Sequence, residues 1–266
     1  MSFDNRLSEQ YYTASEARKV LGLSEFTFQY WVRAGKIKKV ILPGKKQGSY
    51  PKRDIDALAL ALTQVFEHGE TGKFEFSRST PGDQVEEMDI GVRCFGSEFI
   101  TPLPERIAFQ QKSEFTFWSL KVFGRVVGYV SVFRFPPEFL DDILTGRRIE
   151  REITIKEVLP FTRGEPFNVY IDVMAVDPRL PHHEHNLYAG IIVSRFTDVI
   201  LNLRANGYQI EKLYTVSATK EGDNLIRRVG FQLMEGKSQK TGRLAYEYNL
   251  DEAGIEQLKT FSRREV

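Results

Sequence analysis

The chain is poor in several things that would narrow its function directly. It has one cysteine among 266 residues, four histidines, and no apolar run approaching a membrane span. Cys94 alone excludes an intramolecular disulfide and suits a reducing cytoplasm, where the protein is expected. The N-terminus lacks a basic-then-apolar signal, and no stretch nears the roughly 18 residues that cross a bilayer, so no membrane partner is expected. Three of the histidines sit together in "HHEH" at 182–185 beside Glu184. With no cysteine or distant histidine cluster to complete a ligand set, this run reads as a solvated loop, and no metal is expected. Excess charge is missing too, since the formal net charge is +1.

That near-neutrality hides an asymmetry. Residues 1–60 carry +5 and the remainder −4. A basic head on a mildly acidic body points the head, and only the head, toward nucleic acid. A hydrophobic fraction of 41% and a charged fraction of 27% are ordinary for a globular chain with ample core.

The head, residues 1–67, opens with two short helices. Thr13 or Ser15 caps the first, placing Ala17, Val20 and Leu21 on an apolar face. Gly22 breaks it, Ser24 caps the second, and Gly35 ends that one. Phe28, Trp31 and Val32 form the buried stripe of the second helix, while Phe26, Gln29, Tyr30 and Arg33 face the other way, with Glu25 near the start. Gln and Arg suit adenine and guanine edges, and aromatics suit thymine methyls. A small hairpin follows around Pro43-Gly44, with Lys36 before it, Lys45 and Lys46 at its tip, and Tyr50 on its returning arm. Pro51 then opens a helix whose Ile55, Leu58 and Leu62 close the core.

The stretches "YTASEARKVLGLS", "TFQYWVRAGKI" and "SYPKRDIDAL" resemble the excisionase and MerR-like winged helix-turn-helix family over about a quarter of the chain. The resemblance implies a recognition helix in a major groove and a wing on the flanking backbone. On that basis Glu25, Phe26, Gln29, Tyr30, Arg33, Lys36, Lys45, Lys46 and Tyr50 are the expected contacts to double-stranded DNA. One head offers few contacts, so a homodimer is expected.

Residues 68–72 read as a linker and 73–266 as a body of mixed strands and helices. "KFEFSRSTPGDQVEEM" gives a strand and a Thr-Pro-Gly-Asp helix start. "SEFTFWSLKVFGRVVGYVSVFRF" gives a hairpin about Phe123-Gly124, and "PFNVYIDVMAVDP" a central strand covered on both sides. A helix from Leu187 to Asn206-Gly207, another strand, the short helix "GDNLIRRVGF" and the strand "GRLAYEYNL" complete the order, with 137–166 as inserted material. The runs "FSRSTPGDQVEEM", "FGRVVGYVSVF", "YIDVMAVDPRL" and "NLIRRVGFQLM" resemble the GCN5-related N-acetyltransferase (GNAT) family over nearly all of 73–250. The fold class expected is therefore α+β, a winged helix-turn-helix followed by a GNAT-like mixed α/β domain.

The resemblance implies acetyl-CoA held on backbone amides at the helix after the central strand, by Val176, Tyr188, Ala189 and Gly190, with Asp172 as base. Three residues depart from the family pattern. In the run His185–Gly190, His185 stands where an arginine or glutamine is usual and Tyr188 where a glycine is usual, so that Tyr188 should hinder phosphate approach, and Ile226 stands where many relatives have a proton-donating tyrosine. The expectation is thus a sequence-specific DNA-binding regulator whose body, without a required cofactor, dimerises, senses or binds a partner. The alternatives are an N-acetyltransferase using acetyl-CoA and targeted by its head, and an excisionase-like accessory factor of a mobile element.

Overall fold

The computed structural model describes residues 10–265 apart from 22, 24, 34, 36, 43–46, 68–73 and 236–241, and for 26–27, 60–67 and 262–265 it describes the backbone alone. The chain divides into two compact units, Met1–Lys73 and Phe74–Val266.

In the first unit, β1 (Tyr11–Tyr12) leads into α1 (Ala14–Leu21) and α2 (Glu25–Arg33), then β2 (Val40–Ile41), β3 (Gly48–Pro51) and α3 (Lys52–Glu67). Thr13 caps α1: its hydroxyl accepts from the Glu16 N–H at 3.3 Å, and the Glu16 carboxylate accepts from the Thr13 N–H at 2.8 Å. The three strands form an antiparallel sheet in the order β1-β3-β2. Ala17, Leu21, Phe28, Ile37, Tyr50 and Ile55 make the core, with Trp31 and Val32 packed at its margin. Val20, expected on the apolar face, is instead 40% exposed.

The second unit is a seven-stranded sheet in the order β4-β5-β6-β7-β8-β10-β9. Its strands are β4 (Phe74–Arg78), β5 (Phe117–Val122), β6 (Arg125–Phe133), β7 (Pro166–Val176), β8 (Gln209–Ser217), β9 (Gln232–Leu233) and β10 (Leu244–Asn249). All neighbours are antiparallel except β7 and β8. The helices are α4 (Pro81–Phe95), α5 (Leu103–Lys112), α6 (Pro137–Thr145), α7 (His182–Ala205), α8 (Lys220–Val229) and α9 (Glu252–Glu265). The body is thus mixed α+β.

Local chemistry accounts for most element ends. Thr80 and Asp83 form the capping box of α4, with Pro81 at the first helical position. Phe123 (φ 50°) and Gly124 (φ 76°) both take the left-handed conformation that a two-residue turn between twisted strands requires. Asn206 and Gly207 end α7. Gly128 on β6 permits a close approach, since a Cβ there would lie 2.5 Å from Ile192 Cδ1 and 2.6 Å from the Ala175 carbonyl.

Two faces of the sheet are covered. Val130, Val132, Val169 and Ile171 pack with Ile192, Phe196 and Ile200 of α7 and with side chains of α8 and α9. On the other face Phe109, Phe133, Phe139, Ile143 and Tyr170 pack with α5 and α6, while Ile90 of α4 meets Val126, Tyr129 and Ala175. The inserted segment 137–166 therefore contributes core through α6. One boundary differs from expectation. Helix α7 begins at His182, so "HHEH" is its first turn and part of its second rather than a loop. Pro181 fits just ahead of a helix, because the donor it lacks would have no intrahelical acceptor there.

Candidate functional site

The site originates in the one parallel pair among the described residues. Strands β7 and β8 are bonded from Pro166–Gln209 to Ile171–Thr215. Beyond that point β7 continues along β6 as far as Val176, and β8 continues along β10 as far as Ser217. The two strands part, leaving the β8-facing edge of residues 172–176 without a sheet neighbour. A cavity of about 650 Å³ fills the parting and is lined from both faces of the sheet.

A β-bulge sits at the fork. On β6, Ser131 pairs with Val173 and Val132 with Ile171, so Asp172 is an extra residue on β7. The extra residue reverses the alternation of the strand. Val169 and Ile171 face α7, whereas Val173 and Ala175 face α4. Asp172 thus stands at the fork, and its carboxylate accepts a hydrogen bond from Ser131 Oγ at 2.7 Å.

The part of the cavity on the α7 face, an apolar chamber for the most part, is walled by Val193, Phe196, Ile200, Ile226, Val229 and Phe231, with Thr197 and Thr215 beside them. The chamber on the α4 face holds the charges: Asp172, Glu150, Arg106 and Arg243, with Tyr129 and Cys94. Burial pushes the Asp172 carboxyl up to about 7, reinforced by the nearby Glu150 carboxylate and opposed by Ser131, Arg106 and Arg243. Glu150 is held by the Tyr170 hydroxyl and the Arg243 guanidinium. Arg106 pairs with fully buried Glu87, which also accepts from Ser119 Oγ at 2.7 Å. The Arg106 guanidinium lies 4.1 Å from the Phe117 ring centroid, and its buried Nε has no hydrogen-bond partner among the described residues. A concave site with a few convergent polar groups and a carboxyl titrating near neutrality is suited to moving a proton.

Of the residues expected in the body's site, Asp172 lines the cavity and Val176 is buried at the end of β7. Tyr188, Ala189 and Gly190 lie well inside α7, and the amide of His185 already donates to the Pro181 carbonyl at 2.9 Å. The backbone of that run is therefore committed to the helix. Tyr188 points into the core, 8% exposed, with its ring edge-on to Phe74 at 6.0 Å. The expected obstruction by Tyr188 is corrected on this ground: a buried ring two turns into the helix does not stand at its mouth. The amides without an intrahelical partner are those of His182, His183 and Glu184, and Pro181 provides no side-chain cap. Among the described residues no group of three or more His, Cys, Asp or Glu is disposed to hold a metal ion.

Glu87, Arg106, Ser131, Glu150 and Arg243 were not foreseen. Ser131 carried a faint signal, as the one small polar side chain in the apolar run "VVGYVSVF". The others come together only through chain crossings of many residues.

In the head, Tyr30 and Arg33 are exposed on α2 and Gln29 is half-buried. Glu25 is exposed and paired with Arg18 at 2.8 Å. Tyr50 corrects the expectation of a DNA contact: it is 3% exposed and packs edge-on against Phe28, with ring centroids 5.0 Å apart. The Phe26 side chain, Lys36, Lys45 and Lys46 lie outside the described residues. Lys38 and Lys39, on the approach to β2, are exposed.

No family model and no curated protein matches the chain. Among solved structures it is similar to Ard1 from Thermoplasma volcanium, with 11% identity and a TM-score of 0.45 over 68% of this chain and 99% of that one. It is also similar to the loading GNATL domain of CurA from Lyngbya majuscula, at 12% identity and a TM-score of 0.45 over 66% and 97% of the two chains. A third similarity, at 13% identity and the same score over 66% and 100%, is to the GphF GNAT-like decarboxylase in complex with isobutyryl-CoA. No helix among the described residues is long and apolar enough to cross a membrane.

Proposed function

We propose that the body is a GNAT-like acyltransferase, taking an acyl group from an acyl-CoA thioester and passing it to a nucleophile such as an amine. The observation that carries this reading is the bulged Asp172 at the parting of β7 and β8, on a cavity with an apolar and a charged chamber. Acyl-CoA fits the residues present. The unpaired edge of 172–176 offers backbone donors and acceptors to an extended amide-bearing arm. The free amides of His182–Glu184, at the positive end of a 24-residue helix, suit a pyrophosphate. When bound, the thioester supplies the activated carbonyl carbon.

The remaining chemistry belongs to the chain. Asp172, ionised above a pH near 7, accepts the proton from the nucleophile as its lone pair bonds to the carbonyl carbon. The carbon–sulfur bond breaks and sulfur keeps the electron pair. Glu150 and Arg243 hold the charged chamber in place through their mutual pair. Ile226 lines the cavity and has no proton to give, so the thiolate leaves without that residue's help.

Calorimetric titration of the full chain with CoA and acetyl-CoA tests this reading. Micromolar binding is expected, with thiol release when an amine is supplied. Absence of heat at millimolar CoA would remove it.

For the head, the exposed Tyr30 and Arg33 on α2 and the exposed Lys38 and Lys39 support a winged helix-turn-helix that meets double-stranded DNA. The head would then bring the body to DNA-associated acceptors, or act as a regulator with the body as its acyl-CoA sensor, in either case as a homodimer. Arg33→Ala is expected to weaken binding to a selected duplex by about tenfold, consistent with loss of one bidentate base contact. Fluorescence anisotropy over a duplex library measures it. Wild-type protein that binds no duplex at low salt would end the DNA reading.

A further inference from the structure

The charged chamber carries the acyltransferase reading further, to the acceptor it would take. The inserted segment 137–166 supplies part of the cavity wall through Ile149, Glu150 and Arg151. The Glu152 carboxylate holds that turn by accepting from the Ile149 N–H at 3.0 Å. The charges gathered there do not balance. Arg106 is committed to Glu87 and Arg243 to Glu150, while Arg151 is exposed to water, which screens it. Among the described residues Asp172 has the neutral Ser131 hydroxyl and no ion pair. Once ionised, it adds a negative charge without a cation of its own, which is costly in a buried place until one arrives.

Tyr129 is a second group without a partner. It is 2% exposed and lines the same cavity, and its hydroxyl has no hydrogen-bond partner among the described residues. Gly91 of α4 makes room for it, since a Cβ there would lie 2.8 Å from the hydroxyl oxygen. Burial raises the phenol, opposed by Arg106 and reinforced by Asp172, so the group is a neutral hydroxyl whose oxygen can accept. An ammonium group, with one charge, three donors and no acceptor, complements this carboxylate and hydroxyl. Around the same cavity three large apolar side chains stay in water: Phe95 at the end of α4 is 42% exposed, Phe99 54% and Ile149 36%. Scattered singly, such residues need no explanation, but three on one cavity mark a surface that an apolar body covers.

We infer that the charged chamber takes a small primary amine with an apolar body, its ammonium against Asp172 and Tyr129 and its body against Phe95, Phe99 and Ile149. The inference rests on the acyltransferase reading and names the acceptor for it. The bound ammonium gives one proton to water, which frees its lone pair. A second proton passes to Asp172 as nitrogen bonds to the carbonyl carbon, the third stays on the amide, and sulfur leaves with the electron pair of the carbon–sulfur bond.

The test is calorimetric titration of the full chain, with and without CoA, using phenethylamine, methylamine, phenethyl alcohol, phenylalanine and Nα-acetyl-lysine amide. Phenethylamine is expected to bind at least about tenfold more tightly than methylamine, as burial of a ring-sized body provides. The same margin is expected over phenethyl alcohol, which lacks the charge. Asp172→Asn should bring the amine and the alcohol within about threefold of each other. Phe99→Ser, at an exposed position, should weaken phenethylamine by about threefold and leave methylamine unchanged. No heat from phenethylamine, equal binding of the amine and the alcohol, or tighter binding of phenylalanine or the lysine derivative would overturn the inference, while CoA that still binds keeps the acyltransferase reading. Failure of CoA and acetyl-CoA to bind would overturn the reading beneath it. The wild-type titrations decide between these outcomes, whatever the folding of the variants.

Discussion

Asp172→Asn is expected to melt at a higher temperature than the wild type above pH 7 and to have lost acyl transfer. The Asp172 carboxyl is lifted from 3.8 to about 7 because folding strips it of water beside Glu150. A carboxyl raised in the folded state binds its proton more tightly there than in the unfolded chain. Stability is then full below about pH 4, falls as pH rises toward 7, and stays at its lower level above. The shift corresponds to about 4 kcal/mol at the upper limit. Asparagine has no proton to lose and can still accept the Ser131 hydrogen bond, so the gap in Tm should open between pH 4 and 7 and then remain constant. The wild-type kcat/KM should rise with pH through an apparent pKa near 7, as a base that must be ionised requires. Parallel melting of the two proteins across this range would show that Asp172 titrates normally, and the base assignment would fall with it. Greater stability together with lost activity is the pattern of a site that keeps an unfavourable charge for use.

Arg106→Met should cost about 3–5 kcal/mol, because it leaves Glu87 fully buried without its cation. Burial already lifts the Glu87 carboxyl, and Arg106, Ser119 and Ser79 oppose that lift. Without Arg106 the carboxyl rises further, so the variant should lose more stability the higher the pH, and regain part of it in acid. The double variant Glu87→Met with Arg106→Met should recover most of the loss, since no unpaired charge remains. Urea unfolding at pH 5 and 8 measures all three proteins. A double variant as unstable as Arg106→Met would mean that packing of the guanidinium on Phe117 and Tyr129, rather than the charge pair, is what α4 and α5 depend on.

Both experiments probe groups whose importance is only partly visible along the chain. Asp172 stood out as a carboxylate in an apolar strand, and it does line the cavity. Its placement at a fork depends on a bulge that no residue of "VYIDVMAV" announces. Glu87 and Arg106 read as ordinary charges of two surface helices, yet they close on each other beneath the sheet. Tyr188 and Tyr50 mislead in the opposite sense. An aromatic at a helix mouth or on a hairpin arm reads as surface, and both turn inward because Phe74 and Phe28 provide the ring partners.

By itself the sequence determined whatever short-range chemistry controls. Thr13 and Thr80 start helices through hydrogen bonds spanning three residues. Phe123-Gly124, Gly35 and Asn206-Gly207 stop or turn the chain because the local backbone needs left-handed or capping positions there. Apolar periodicity identified the head's packed face and the central strand. Tertiary structure alone decided that β7 and β8 run parallel, bond for part of their length and then part, and that Glu150, Asp172 and Arg243 gather around the opening. The reason is range. Caps and turns are settled by neighbours a few residues away, whereas the fork and its charges depend on strands and loops joined only when the sheet closes.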